Sequence, residues 1–284
     1  MKKIDLSFLV GKDVSFGINY ADELFNKNLE GKINAHEIYN KLLDLVHNSY
    51  EEPKPYILRG ILRHKIWKCE NFFCWNENYF SQSGQDKIIK NHFFRDCKNG
   101  FFIEIGAFDG LEGSNCFHFE RFLGWKGIAI EPSPTQFNKL KKNRKCKLIN
   151  KAISAAVEEV EFIDIVEGFT QMSGINNAEY NRNFERTKKN KKTKFNKEIS
   201  KTSTFDEIIS ENFTIDYLSI DIEGSEFELI KTVNFEKYDI KVISVENSFP
   251  KEQGFKEFFM NKNFSYFDRI GADEIFYNNK YYKF

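Results

Sequence analysis

Acidic residues recur where the apolar, strand-like segments of this chain end. The segment FFIEIGAFDG ends in Glu104, Gly106 and Gly110, and the next strand-like segment ends in Glu131. Later segments carry the acids and amide Asp164, Asp221, Glu223, Glu246 and Asn247. Ligands of an open α/β sheet bind beyond the carboxyl ends of its parallel strands. This pattern therefore predicts one binding site at one edge of such a sheet.

The glycine-containing loop predicts the chemistry of the ligand. Glycines let the backbone turn tightly and approach a ligand, and an acid at the end of the following strand suits two ribose hydroxyls. The loop has the form E-x-G-x-x-x-G rather than the G-x-G-x-x-G of dinucleotide sites. Glu104 would repel a diphosphate but attract a cationic amino-acid group. The residues thus favour S-adenosylmethionine over NAD.

Strands and helices alternate from residue 100 onward, which predicts a parallel sheet covered on both faces. The strand-like segments are 100–108, 124–133, 147–154, 160–167, 216–225 and 239–248, and 265–279 predicts a closing hairpin. Helical segments are 114–124, 134–143, 204–211, the segment after residue 225 and 252–261. Residues 168–203 break the alternation. Residues 1–80 predict a mainly helical extension, with a helix at 33–50 that ends before EEPKP.

Composition excludes several broad classes. Lys plus Arg and Asp plus Glu number 42 each, so the chain lacks the basic excess of a typical nucleic-acid binder. The five cysteines show neither a disulfide framework nor zinc-site spacing. The N-terminal apolar piece is too short to span a bilayer and lacks a signal-peptide core. We therefore expect a cytoplasmic protein with reduced thiols.

Five separate blocks of the sequence together resemble a known family. SQSGQDKII, GFFIEIGAFDGLEGSN, GWKGIAIEPSP, TFDEI and DYLSIDIEGSEFELI, spread over about 80–280, are similar to the FkbM-type S-adenosylmethionine-dependent methyltransferases. The resemblance implies an α/β fold: the Rossmann-like, seven-stranded class I methyltransferase sheet, with helices on both faces. It divides the chain into the helical extension 1–80 and a catalytic domain 81–284, with 168–203 as a basic, lid-like insertion.

The resemblance also implies site residues and an activity. Cofactor-binding positions fall on Gln82, Asp86, Glu104, Gly106, Gly110, Asn115, Glu131 and Asp164. Members of the family mostly methylate oxygens on sugars and natural products. The expected activity is therefore O-methylation, often in glycan or antibiotic synthesis.

Removing the proton of a sugar hydroxyl needs help, and two arrangements remain open. A divalent metal, Mg²⁺ or Mn²⁺, held by Asp221, Glu246 and Asn247 would lower the pKa of the hydroxyl. Alternatively Asp221 acts as the base, with Glu223 and Glu246 holding sugar hydroxyls. His118 is the reserve base, although a lone histidine on a helix is more often packed or exposed.

The basic segment 182–201 carries nine Lys or Arg residues and two Glu. It predicts either a solvated surface loop or a lid that attracts a phosphorylated acceptor. Gln171 and Ser173 lie near the start of the insertion 168–203 and are candidate substrate contacts.

The predicted partners are a sugar or nucleotide-linked sugar, such as a heptose of bacterial capsule or surface-glycan synthesis, and a second copy bound through the aromatic-rich extension. The alternatives are a phosphate-derived, amine or lipid-linked acceptor, and a non-catalytic nucleoside-binding module.

Overall fold

A computed structural model describes residues 13–46, 53–187, 193–209, 214–250, 252 and 254–283. The N-terminal region forms α1 (Val14–Phe25), α2 (Leu29–Leu45) and α3 (Pro53–Phe72). Asn28 caps α2 by accepting a hydrogen bond from the Gly31 N–H at 2.8 Å, so this helix begins earlier than the sequence predicts. The prolines at 53 and 55 open α3, because the first helical turn needs no N–H donors.

From residue 85 onward the elements follow in the order α4 (Gln85–Phe93), β1 (Phe101–Ile105), α5 (Phe117–Leu123), β2 (Lys126–Ile130), α6 (Pro134–Asn143), β3 (Lys147–Ile149), β4 (Glu159–Glu167), β5 (Gly174–Ile175), α7 (Ala178–Thr187), β6 (Lys194–Lys201), α8 (Phe205–Ile208), β7 (Thr214–Ile220), α9 (Glu226–Thr232), β8 (Asp239–Glu246), α10 (Phe255–Met260), β9 (Phe264–Ile270) and β10 (Asp273–Asn278).

The main sheet has seven strands in the order β3-β2-β1-β7-β8-β10-β9. The first five strands of this order run parallel, and β10 pairs antiparallel with both β8 and β9. Ile103, Leu218 and Ile243 lie at the centre of the sheet and are fully buried in its core. The fold is thus of the α/β class, with the seven-stranded sheet that the family resemblance implies and the closing hairpin that the residue pattern predicts.

A second sheet forms outside the main one. Its antiparallel order is β5-β4-β6. The strand predicted at 160–167 exists as β4, but it pairs with β6 rather than joining the parallel sheet. The insertion is also more regular than a loop: a 3₁₀ turn at Thr170–Met172 precedes β5, and α7 and β6 follow. Residues 188–192 of the basic segment lie outside the described residues.

Helix α3 joins the N-terminal helices to the hairpin. Arg59 and Arg63 both donate hydrogen bonds to the buried Asp268 carboxylate in β9. The Tyr56 hydroxyl donates to the Pro250 carbonyl at 3.0 Å. Among the described helices, none is long and apolar enough to cross a bilayer.

Candidate active site

The glycine loop after β1 packs directly on the end of β7. Gly106 has a φ of +85°, and a Cβ at this position would lie 1.6 Å from the Asp221 carbonyl oxygen. The Asp221 N–H donates to the Ile105 carbonyl at 2.9 Å, and the Gly106 N–H donates to the Ile130 carbonyl at 3.0 Å. Only glycine permits both this backbone conformation and this contact. The glycine loop is thereby fixed beside Asp221, the first acid of the segment DIEGSE (221–226).

A cleft opens at the carboxyl ends of β1, β2 and β7. It encloses about 780 Å³, including its solvent-open part, which is in the range of small-molecule sites. The predicted residues that line it are Gln82, Gly106, Glu131, Gln171, Ser173, Asp221 and Glu223. Ala152, Ile153 and Phe162 form an apolar wall near Glu131, and the exposed Lys151 lies beside them. Such a wall suits the flat face of a nucleobase.

Glu131 is held in place by two backbone amides. Its carboxylate accepts hydrogen bonds from the Phe108 N–H and the Ser133 N–H, both at 2.8 Å. Burial raises the pKa of Glu131 to about 8, while the two amide donors favour the charged form. Each carboxylate oxygen accepts one of these bonds and has a second lone pair, and Glu131 lines the cleft. The arrangement can accept hydrogen bonds from two ribose hydroxyls.

Asp164 supports this loop instead of lining the cleft. It is 1% exposed, and it accepts hydrogen bonds from the Ser133 hydroxyl and, at 3.0 Å, from the Thr135 hydroxyl. Ser133 therefore joins Asp164 to Glu131. The family resemblance implies a direct contact of Asp164 with the cofactor. In the structure Asp164 lies outside the lining of the cleft and bonds to Ser133, which in turn bonds to Glu131.

Glu104 faces a buried arginine. Its carboxylate forms an ion pair with Arg144 at 2.7 Å and accepts a hydrogen bond from the Ser114 hydroxyl at 2.7 Å. Arg144 also pairs with Glu120 and donates to the carbonyl of Gly110 at 3.3 Å. The charge that was predicted to attract a cationic ligand is thus already neutralised by Arg144. Glu104 and Gly110 lie behind the glycine loop and outside the lining of the cleft.

Asp86 holds the backbone of the SQSGQD loop. Its carboxylate accepts hydrogen bonds from the N–H groups of Phe80 and Ser81 and from the Ser81 hydroxyl. Burial raises the pKa of Asp86 to about 6. Asp86 is absent from the lining of the cleft, whereas Gln82 of the same loop is part of it.

Three carboxylates meet beside the cleft: Asp221 and Glu223 line it, whereas Glu246, a predicted substrate contact, lies outside its lining. Ligand oxygens of Asp221, Glu223 and Glu246 all lie within 4.8 Å of one another. Burial, followed by repulsion from Glu246, raises the pKa of Asp221 well above its usual value, and burial likewise raises the pKa of Glu223 and of Glu246. Oε2 of Glu246 is buried without a hydrogen-bond partner among the described residues. The three residues are called the acid cluster below.

The loop that carries Glu223 has an unusual backbone. Glu223, Gly224 and Ser225 have successive positive φ angles of 62°, 135° and 77°. Glu226 holds this turn because its carboxylate accepts from the N–H groups of Ile222 and Gly224, at 3.1 and 2.8 Å. Non-glycine residues in this conformation store strain, which occurs preferentially at functional sites.

Helix α7 of the insertion clamps the same loop. Nδ2 of Asn177 donates to the Ser225 hydroxyl at 3.0 Å, and the Glu179 carboxylate accepts from the Ser225 N–H at 3.0 Å. Tyr180 packs against both Gly174 and Gly224, where a Cβ would come within about 3 Å. The insertion therefore contributes both a wall of the cleft and support for Glu223.

Asn115 and Asn247 connect the acid cluster to its surroundings. Nδ2 of Asn115 donates to the Ser219 hydroxyl and to Asp273, whose backbone is paired with Glu246. Nδ2 of Asn247 donates to Glu274 at 2.8 Å. Oδ1 of Asn247 is buried without a partner among the described residues. Neither asparagine lines the cleft.

His118 lies on α5 away from the cleft. Its Nδ1 is 2.7 Å from the Asn78 carbonyl, and its ring stacks on Tyr79 and Phe122. Burial lowers the pKa of His118. The ring is therefore neutral and packed. This is the common situation for a lone histidine on a helix, rather than the role of a reserve base.

Several cations of the insertion are paired with acids. The pairs are Arg182–Glu252, Lys194–Glu167 and Lys197–Glu161. Ser173, a predicted substrate contact, uses its hydroxyl to donate to the Thr170 carbonyl and to accept from the Ile165 N–H. These ion pairs are at the surface, where each pair contributes little to stability, so the cations can readily leave their partners.

Sequence reasoning missed the residues that support the site. Glu226 lies within the DIEGSE motif, so its role had a local signal. Arg144, Asn177 and Asp273 had none, because each acts on a residue far away in the chain. Their partners become neighbours only in the folded protein.

Residues 104–271, more than half of the chain, match the model of the methyltransferase FkbM domain. No curated protein gives a significant match. The fold is similar to methyltransferase FkbM from Methylobacillus flagellatus KT, with 10% identity and a TM-score of 0.40 over 84% of this chain; this chain spans only 57% of that one. It is also similar to the N-terminal domain of human METTL16, with 13% identity and a TM-score of 0.34 over 100% of both chains. The same human domain in complex with SAH gives 14% identity and a TM-score of 0.33, covering 99% of this chain and 96% of that one.

The matched residues include the glycine loop, Glu131 and the whole acid cluster. The assignment rests on this match to the family model. The chain belongs to the FkbM family of S-adenosylmethionine-dependent methyltransferases.

Proposed function

We propose that this protein transfers the methyl group of S-adenosylmethionine to a hydroxyl group of a sugar, as a nucleotide-linked sugar or heptose of bacterial surface-glycan synthesis. The observation that carries the proposal is the acid cluster, which lies next to the cofactor loop and supplies three oxygen ligands within 4.8 Å. Carboxylates in this arrangement bind the hydroxyls of a polyol or a hard cation. The family resemblance supports a sugar acceptor.

The two ends of the cleft have different tasks. Glu131 would hold the ribose, and Gln82 would contact the methionine end. S-adenosylmethionine supplies a methyl group that is already activated by its sulfonium. The protein has to align the acceptor oxygen and take up its proton as the new bond to carbon forms.

Asp221 is the best candidate to receive that proton. It lines the cleft, and its backbone is fixed to the glycine loop through Ile105. Its raised pKa makes the ionised form a stronger base than an ordinary aspartate. Glu223 and Glu246 would then orient the neighbouring hydroxyls.

A divalent cation fits the same residues. The orphaned Oε2 of Glu246 and the mutual repulsion of the acid cluster are both relieved by a bound cation. Asp221, Glu223 and Glu246 would hold it, and the predicted ligand Asn247 offers its Oδ1, which has no hydrogen-bond partner among the described residues. Bound there, Mg²⁺ or Mn²⁺ would lower the pKa of an acceptor hydroxyl.

A methyl-transfer screen tests the proposal. Purified protein and S-adenosylmethionine are incubated with nucleotide-linked hexoses and heptoses, with Mg²⁺ or with EDTA, and products are analysed by mass spectrometry. We expect a gain of about 14 Da, the mass of one CH₂ group, on one sugar. Loss of activity in EDTA that Mg²⁺ restores supports the cation, whereas full activity in EDTA contradicts it. Transfer to amines or phosphates alone would overturn the sugar acceptor.

Asp221→Asn adds a residue-level control. It should lower kcat at least about a hundredfold, as expected for loss of a general base, while binding of S-adenosylhomocysteine persists. Asp216→Asn lies at the opposite end of β7, where Asp216 pairs with Lys241. It should reduce stability and leave kcat within about twofold of wild type.

The predicted dimer is a separate proposal. Phe72 and Trp75 of the N-terminal region are 51% and 56% exposed. Aromatic side chains of this kind are enriched in subunit interfaces. Sedimentation velocity would test this proposal, and a single monomer species at micromolar concentration would contradict it.

A further inference from the structure

One face of α3 lies against the loop that carries Gln82. Gly60, His64 and Trp67 have the i, i+4, i+7 spacing of a single helix face. A Cβ on Gly60 would lie 2.4 Å from the Gly271 carbonyl oxygen, so the helix touches the backbone of the β9–β10 turn. The Trp67 ring lies so close to Gly84 that a Cβ there would contact it at 2.8 Å.

His64 binds this loop through Ser83. Its Nδ1 is 2.8 Å from the Ser83 hydroxyl. Ser83 is 5% exposed. Burial lowers the pKa of His64, which keeps the ring neutral at neutral pH. Nδ1 of a neutral imidazole can donate to a hydroxyl or accept from one, depending on the tautomer, so it suits this contact.

The loop in turn supports the glycine loop. Ser81 forms an isolated parallel bridge with Gly113. A Cβ on Gly113 would lie 3.1 Å from Cγ of Gln82. Gln82 itself lines the cleft. A continuous chain of contacts therefore runs from α3 through Ser83 and Gln82 to the glycine loop.

Helix α3 is firmly anchored for this purpose. Arg59 and Arg63 bind Asp268, which is 1% exposed, and the Gly271 N–H donates to the Gly60 carbonyl at 3.2 Å. A buried carboxylate paired with two arginines fixes helix and hairpin in one relative position.

We infer that α3, which lies outside the residues matched to the family, completes the cofactor site, and that His64 is the positioning residue that holds Gln82 against the cofactor. This inference rests on the proposed cofactor cleft and is independent of the acceptor. His64 acts through the loop and does not line the cleft.

Binding of S-adenosylhomocysteine, measured by calorimetry on the full chain, tests the inference. His64→Ala should weaken binding about tenfold, the effect of one lost hydrogen bond. His64→Asn places an amide near the position of Nδ1 and should stay within about threefold of wild type. Alanine is the better helix former, so a merely structural role would not favour asparagine. His92→Ala, at an exposed histidine of α4, is the matched control and should bind as wild type.

A double-mutant cycle with Ser83→Ala keeps the test sharp if one variant is unstable. Coupled effects on binding support the inference, because the two side chains share one hydrogen bond. Additive effects, or wild-type affinity in His64→Ala, would overturn it. Glu131→Ala, measured alongside, should also weaken binding. Unchanged binding in Glu131→Ala would overturn the cofactor cleft itself, and the role of His64 with it.

Discussion

Gly106 is the residue where the glycine loop meets the end of β7. Its positive φ and its contact with the Asp221 carbonyl are separate requirements, and both exclude a side chain. Gly124 has a similar φ of 69°, but a Cβ there would only come within 3.6 Å of Oδ1 of Asn99. The two glycines allow backbone strain and steric contact to be separated.

Gly106→Ala should abolish binding of S-adenosylhomocysteine and lower the free energy of unfolding more than Gly124→Ala does. The control pays only the strain of a left-handed alanine, roughly 1–2 kcal/mol. Gly106→Ala must in addition displace the backbone of Asp221. Urea unfolding and calorimetric binding measure both effects. Equal losses of stability with intact binding would show that the contact at Gly106 is unimportant.

Arg144 is the residue on which the buried charges behind the glycine loop depend. Its side chain is fully buried, and its partners Glu104 and Glu120 are almost fully buried. Arg144→Met should cost about 3–5 kcal/mol, because two buried carboxylates lose their counter-ion. Lys194→Met breaks an exposed pair with Glu167 and should cost no more than about 1 kcal/mol. Similar losses in urea unfolding of the two variants would contradict this account.

At the scale of elements, α7 matters because it fixes the strained turn after β7. The insertion was predicted as a lid or a solvated loop, and the structure shows a helix there. Asn177, directly before this helix, and Glu179 in its first turn bind Ser225. Movement of α7 would therefore be transmitted to Glu223.

Asn177→Asp should lower kcat by about tenfold to a hundredfold, since a displacement of about 1 Å at a reacting group has effects of this size. The substitution keeps the acceptor oxygen that binds the Tyr180 N–H and removes the donor to Ser225. Affinity for S-adenosylhomocysteine should not change. Asn181→Asp, at an exposed position of the same helix, is the control. An unchanged kcat in Asn177→Asp would show that the clamp has no catalytic role.

At the scale of the whole molecule, the net charge is zero, but several buried acids lie together beside the cleft. Burial raises the pKa of Asp221 and Glu223 well above their usual values, that of Glu226 to about 8 and that of Asp273 to about 7. These carboxyls stay protonated in the folded protein at pH values where the unfolded chain has lost the protons. At these pH values the protonated carboxyls therefore lower the free energy of unfolding.

The ligand-free protein should be less stable at pH 8 than at pH 7. A folded pKa raised above the unfolded value gives a contribution that is complete below the unfolded pKa, near 4, and is lost as the pH rises through the folded pKa. Each group still protonated in the folded state costs about 1.4 kcal/mol per pH unit. Urea unfolding at the two pH values, with Asp221→Asn as the variant that should flatten the slope, checks this; equal stability would contradict it.

A divalent cation should reverse this loss. Mn²⁺ would stabilise the ionised acid cluster, so it should raise the Tm more at pH 8 than at pH 7. Glu246→Gln should lose the effect, whereas Glu228→Gln, on the exposed face of α9, should retain it. An equal response in both variants would mean that the ion binds elsewhere.

The sequence alone determined the order along the chain of the strands that form the main sheet. Apolar runs, glycines and capping residues act over a few positions, so the strand 101–105 and the loop after it were predictable. The rule that ligands bind at the carboxyl edge of a parallel sheet then brought Glu131 and Asp221 to one cleft. The match to the FkbM family confirms the family resemblance and the class of cofactor.

Only the tertiary structure decided which carboxylates face the cleft. Glu104 and Asp164 end or lie on strands just as Glu131 and Asp221 do, yet they bind Arg144 and Ser133 in the interior. A buried charge must find a partner, and the partner of Glu104 lies 40 residues further along the chain. The pairing of β4 with β6 and the contact of α3 with Ser83 likewise depend on packing between distant segments. Local residue types fix what each segment is, while burial of charges and close packing fix which segments meet.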